Sequence, residues 1–132
     1  MRDLIRGIHH ISLKCRDTAE WEKVLHFYRD VLRLRVVRCA GEGAGAMAML
    51  DTGCGLIEVF ANGHDAPGQG VVRHFALAVC DADACAAAVR AAGYPVFVEP
   101  KDIVLGGQPP LAARIAFCKG PLGEDIEFFQ EK

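Results

Sequence analysis

The chain has 132 residues and a mass of 14.3 kDa, enough for one domain with its own core. Hydrophobic residues make up 52% and charged residues 24%, a balance that excludes a disordered chain. Formal net charge is −2 and there is no run of Lys or Arg, so neither nucleic acid nor an anionic membrane is an expected partner.

The opening Met1-Arg2-Asp3-Leu4-Ile5-Arg6-Gly7 lacks the apolar run of a signal peptide. No stretch approaches the roughly 20 apolar residues of a spanning helix. A cytoplasmic location is therefore expected. The six cysteines (15, 39, 54, 80, 85 and 118) form no Cys-x-x-Cys pair, and free thiols buried in a reducing compartment are expected.

Ile8 to Cys15 alternates as a strand does: His9, Ile11 and Leu13 fall on one face, His10, Ser12 and Lys14 on the other. Asp17 or Thr18 then caps a helix with Glu20 in its first turn. Its apolar stripe is Trp21, Val24, Leu25, Tyr28, Val31 and Leu32, and it ends near Arg33. Leu34 to Cys39 reads as a second strand. Gly41 to Gly45 lacks the Gly-x-Gly-x-x-Gly spacing of a dinucleotide site and reads as a turn. Ala46–Asp51 and Leu56–Ala61 form a hairpin around Thr52-Gly53-Cys54-Gly55. In its second arm Leu56, Glu58 and Phe60 share a face.

Asn62 to Gly70 is dense in turn formers and reads as a linker. The order of elements then repeats. Val71–Val79 is a strand, with His74, Ala76 and Ala78 on its polar face. Asp81 or Asp83 caps an alanine-rich helix that Gly93 ends. Pro95–Glu99 is a short strand and Pro100–Pro110 a loop. Ala112–Cys118 and Glu124–Gln130 close a last hairpin.

The two halves also echo each other in detail. His10, Leu13 and Asp17 have the spacing of His74, Leu77 and Asp81. Leu56-Ile57-Glu58-Val59-Phe60 answers Asp125-Ile126-Glu127-Phe128-Phe129. The expected fold is α+β: two βαβββ modules forming a curved mixed sheet with helices on the outer face. Module one is 1–62, the linker 63–70 and module two 71–132, all within a single domain. If the two sheets curl side by side, His10, Glu58, His74 and Glu127 converge on one concave surface.

Two imidazoles and two carboxylates make a mixed nitrogen and oxygen donor set. It suits one borderline divalent ion: nickel, zinc, cobalt, iron or manganese. Any one of the four alone reads more readily as a structural or solvated side chain; the repeat in matching phase is what joins them. His9 lies on the helix-facing side by alternation and takes no metal role. His26, on the helix, and His64, in the linker, take none either. Arg114 is a candidate partner for a substrate carboxylate, or for a structural ion pair.

With these motifs in hand, the chain resembles the vicinal oxygen chelate superfamily, the glyoxalase, bleomycin-resistance and dioxygenase group. The resemblance rests on Gly7 to Asp17, Phe27 to Leu34, Leu56 to Val59, His74 to Asp81 and Gly123 to Glu127, and it spans nearly the whole chain. Glu58 at the second ligand position is similar to glyoxalase I. That likeness implies a metal-dependent lyase or isomerase acting on a substrate with vicinal oxygens, such as the hemithioacetal of a 2-oxoaldehyde. Glu127 or Glu58 would be the proton-transfer base, and pseudo-symmetry leaves the choice open. It also implies a homodimer. Asn62 matches a glutathione-contacting position, and Lys14 stands where the family has an Arg, keeping the charge but losing the bidentate fork. The partner is thus a small molecule, of which a thiol conjugate is one form. Alternatives are another chelate enzyme, an epimerase or thiol transferase, and a non-catalytic small-molecule-binding protein of the same fold.

Overall fold

The computed structural model describes residue 4, residues 7–63, residue 70 and residues 72–132. Most of the predicted linker, with His64, and Val71 at the start of the predicted fifth strand lie outside the described residues. The chain divides into two compact units, Met1–Ala66 and Pro67–Lys132. Each is a βαβββ module, and the class is α+β as expected.

In the first unit, β1 (His10–Lys14) leads into α1 (Thr18–Leu25). Asp17 caps that helix by accepting from the Glu20 backbone N–H at 2.8 Å, satisfying a donor with no partner inside the helix. The Glu20 carboxylate in turn accepts from the Arg16 backbone N–H at 2.9 Å. The predicted single helix to Arg33 is instead α-helical only to Leu25 and widens into a π-helical stretch, His26–Val31. Leu32 N–H then donates to the Phe27 carbonyl at 3.0 Å. Arg33 leaves the helix in the left-handed region, with φ 62°. Phe27 and Tyr28, adjacent in sequence, are both fully buried there with their rings edge to face, centroids 4.9 Å apart.

Strands β2 (Arg35–Ala40), β3 (Met47–Asp51) and β4 (Leu56–Phe60) complete a sheet of order β1-β4-β3-β2. β1 and β4 are parallel and the other pairs antiparallel, so the sheet is mixed. The glycine-rich turn before β3 contains one 3₁₀ turn, Gly43–Gly45. Gly41 is required there: its φ is +74°, and a Cβ would stand 1.9 Å from the Gly45 carbonyl oxygen. Ala48, Leu50, Ile57 and Val59 share one sheet face by register and are fully buried, as is Val24 of α1, which packs on β4. Side chains of the size of Leu50 or Ile57 each contribute about 1.5–3 kcal/mol on leaving water.

The second unit repeats the plan: β5 (Phe75–Ala78), α2 (Ala82–Ala91), β6 (Val96–Leu105), β7 (Leu111–Lys119) and β8 (Asp125–Glu131). Its order, β5-β8-β7-β6, is that of the first sheet. Asp81 caps α2 by accepting from the Ala84 N–H at 3.0 Å. The helix closes through Tyr94 N–H to Val89 carbonyl and Gly93 N–H to Arg90 carbonyl, both 3.0 Å. That Schellman pattern needs a left-handed residue, which Gly93 supplies at φ +91°. α2 packs on β6, β7 and β8, burying Ala82, Ala86 and Val89 with Ala116, Cys118, Ile126 and Phe128 in the core.

One boundary differs from the sequence reading. The predicted loop Pro100–Pro110 is strand as far as Leu105. β6 is the edge of its sheet, and its register shifts between Val98 and Lys101. An edge with a bulge tolerates a proline that a central strand would reject. No helix among the described residues is long and apolar enough to cross a membrane.

None of the six cysteines is in a disulfide, but burial is uneven. Cys15 and Cys118 are buried and Cys85 is half-buried, whereas Cys39, Cys54 and Cys80 are exposed, against the expectation that all are sequestered. Burial pushes the Cys118 thiol up to about 12, which removes the thiolate that reacts. A chromogenic disulfide reagent at pH 8 is therefore expected to titrate Cys39, Cys54 and Cys80 quickly, with Cys15 and Cys118 reacting only after denaturation. Fast reaction at Cys118 in the native protein would contradict this packing.

Candidate functional site

The polar faces of the strands build two half-sites, one in each unit. In the first, Ser12 of β1 is the register partner of Glu58 on the parallel strand β4. His10 stands two residues before Ser12, on the same face. Its Nε2 lies 3.6 Å from Glu58 Oε1. In the second unit, Ala76 of β5 is the register partner of Glu127 on the parallel strand β8. His74 stands two residues before Ala76, and its Nε2 lies 3.4 Å from Glu127 Oε1. The sequence repeat is thus a repeat of register, and it delivers the same pair of atoms in both units.

The separations are informative. Neither is a normal hydrogen bond, which for N–H···O closes to about 2.7–3.2 Å. Two donor atoms each about 2.0–2.2 Å from one divalent ion, at angles between square and tetrahedral, lie about 2.8–3.6 Å apart. Both pairs therefore fit adjacent ligands of an ion. Glu58 is also the one buried charged side chain among the described residues. A carboxylate in that position needs a partner to offset the loss of water, and a cation would supply it. Among the described residues no three His, Cys, Asp or Glu side chains form one metal-sized group. The structure brings the four predicted ligands together as two pairs, each inside its own unit.

The other candidates separate. Lys14 ends β1 on the His10 face, exposed, with Nζ 5.8 Å from the centroid of Phe60. Asn62 lies just past β4 and is exposed. Arg114 is a correction. Its register partner is Gln130, whose side chain accepts from the Ala82 N–H at the start of α2. Arg114 therefore lies on the helix side of the sheet, opposite Glu127. Its guanidinium is taken up by Asp83, with Nη2 donating to Oδ1 at 3.0 Å, and by Asp102, 3.3 Å from Nη1. It is the structural ion pair, not a carboxylate receptor beside Glu127.

Residues the sequence reading passed over also stand at the pairs. His9 does not turn away from His10: the two Nδ1 atoms are 2.9 Å apart and the rings meet edge to face, centroids 5.2 Å apart. Alternation failed as a guide because His9 precedes β1. In the second unit Phe117, the register partner of Glu127, meets His74 edge to face at 5.3 Å, and Phe97 lies 5.6 Å beyond. The first unit has methionine there: Met49 is the register partner of Glu58. A cavity of about 520 Å³ opens beside it, lined by His9, Val37, Arg38, Met47, Met49 and Leu56. Arg38 makes no ion pair among the described residues.

Residues 7–128 match the model of the Glyoxalase/Bleomycin resistance protein/Dioxygenase superfamily. The chain belongs to that superfamily. Among solved structures it is similar to TnmS3, an antibiotic-binding protein from Streptomyces sp. CB03234, at TM-score 0.73 and 20% identity, covering 99% of this chain and 100% of that one. It is also similar to a lactoylglutathione lyase from Agrobacterium tumefaciens, at TM-score 0.66 and 18% identity, covering 97% and 96%. A V278E mutant of glyoxalase I from Zea mays matches at TM-score 0.68 and 21% identity, covering 91% of this chain and 43% of that one. Identities this low establish the shared fold and leave activity to the residues. No curated protein sequence matches the chain. Within the superfamily, then, the His–Glu pairs and their surroundings carry the functional argument.

The Arg114 pair gives a check on the site's supporting frame. The Arg114 guanidinium beside Asp83 holds that carboxyl below the usual carboxylate range, and Lys132 and Arg114 do the same to Asp102. A depressed folded pKa stabilises fully above the unfolded carboxylate value and is lost as pH falls through the folded one. The Arg114→Gln variant is expected to melt below wild type at pH 7, with the gap closing in acid and narrowing in high salt. A gap independent of pH would contradict the pairing.

Proposed function

We propose that this superfamily member is a metal-dependent, glyoxalase I-like lyase or isomerase for a small substrate with vicinal oxygens, such as a hemithioacetal of a 2-oxoaldehyde. The observation that carries the reading is the repeated pair: His Nε2 and Glu Oε1 at 3.6 and 3.4 Å, at the same register offset in both units. His10, Glu58, His74 and Glu127 would be the ligands of nickel, zinc, cobalt, iron or manganese. Such an ion, when bound, polarises a substrate carbonyl and acidifies the neighbouring C–H.

The chain's own residues do the rest. Glu127 or Glu58 removes the proton from one carbon and returns it to the adjacent one; the C–H electron pair becomes part of the enediolate double bond and is then reprotonated. No atom is gained or lost overall. Lys14 and Asn62 are the proposed contacts to the thiol moiety. The cavity lined by Met49, the register partner of Glu58, offers an apolar wall of Val37, Met47 and Met49 for the carbon skeleton. The same reading has the protein working as a cytoplasmic homodimer.

A second reading, a binder without turnover, draws on that same methionine-lined cavity, since methionine adapts to irregular ligands. Assay of the metal-loaded protein with methylglyoxal and glutathione in deuterated water separates the two. Turnover with the wild type, and a loss of about 10²–10⁴-fold in whichever of Glu58→Gln and Glu127→Gln removes the base, is the expected result. Full proton exchange in both variants would overturn the carboxylate-base mechanism. Ligand binding with no turnover would move the function to the binding reading.

A further inference from the structure

The two half-sites have the same ligand atoms but differently braced histidines. His74 is held edge to face by Phe117, a ring with no hydrogen-bonding atom. His10 is held edge to face by His9, and the contact is also a hydrogen bond, Nδ1 to Nδ1 at 2.9 Å. A hydrogen bond between two ring nitrogens contains one proton, so one ring must donate and the other accept. His10 Nε2 is 3.6 Å from Glu58 Oε1, too far to be donating to it. That nitrogen makes no hydrogen bond, so the Nδ1 contact with His9 is the one that can fix the tautomer of His10.

We propose that His9 is a positioning residue: it accepts the His10 Nδ1–H, fixes the Nδ1–H tautomer of His10 and so presents the Nε2 lone pair toward Glu58 Oε1. His9 then carries its own proton on Nε2, at the wall of the cavity it shares with Arg38 and Met49. Ligating histidines commonly need such an acceptor behind them, because it sets both tautomer and ring orientation. His74 has the ring brace without the acceptor among the described residues, so the first unit holds the more firmly oriented ligand. The tautomer is a property of the metal-free protein; its consequence for metal rests on the reading proposed above.

The test uses His9→Phe, which copies the ring brace of the second unit and deletes the acceptor, and His9→Asn, whose side-chain oxygen restores one. His9 is exposed, so neither change touches the core. Long-range nitrogen–proton correlation spectra of the metal-free protein, above the ordinary histidine pKa of about 6.5, read the tautomer directly. The wild type and His9→Asn are expected to show His10 as Nδ1–H, and His9→Phe to lose that signature. Cobalt titration followed by absorbance should weaken roughly 10–100-fold in His9→Phe and recover in His9→Asn. Nε2–H in the wild type, or unchanged cobalt affinity in His9→Phe, overturns the proposal. A wild type that binds no cobalt overturns the metal reading instead, and leaves the tautomer result standing.

Discussion

Parallel pairing of the first and last strands is the constraint on which each unit depends. β1 lies beside β4 and β5 beside β8, and each parallel pair needs a long crossover. Helix and two further strands supply it, which is why each unit runs βαβββ. The same pairing sets the chemistry. A histidine two residues ahead of the glutamate's register partner reaches diagonally to that glutamate. A slip of one residue would send either side chain to the helix face. The caps at Asp17 and Asp81 and the turns at Gly41 and Gly93 hold the crossover to its length, and so hold the register.

The repeat holds in the His–Glu pairs and relaxes around them. Beside Glu58 stands Met49; beside Glu127 stands Phe117. One histidine is braced by an imidazole and the other by a phenyl ring. The first half-site therefore offers a pliable thioether wall and an arginine that makes no ion pair among the described residues, and the second a row of aromatic rings. The superfamily contains both enzymes and binders, and walls of this kind are where such members can diverge while the His–Glu pairs stay fixed.

Much of this was legible in the sequence, because alternation along β1 and β4 is clean and the His–Leu–Asp spacing occurs twice. What was not legible has physical causes. β7 is apolar on both faces, with Ala113 and Ile115 buried on one side and Ala116 and Cys118 on the other. Hydrophobicity does not tell which of those faces the helix covers, so from sequence Arg114 reads either as a carboxylate partner or as a structural ion pair; its contacts with Asp83 and Asp102 decide for the ion pair. Pro100 reads as a strand breaker, yet an edge strand with a shifted register accommodates it. His9 sits one residue ahead of β1, where the rule that separates neighbours onto opposite faces has not begun. Register itself depends on turn geometry and bulges, and composition does not report those.

The central proposal is that His10, Glu58, His74 and Glu127 are metal ligands. Metal content per chain, measured by mass spectrometry on wild type, His10→Ala and Glu127→Ala after reconstitution with nickel or zinc, tests it most directly, since each variant disables a different unit. The account predicts a stoichiometric ion in the wild type and its loss in both variants. Full occupancy in either variant, or no ion in a folded wild type, would contradict it.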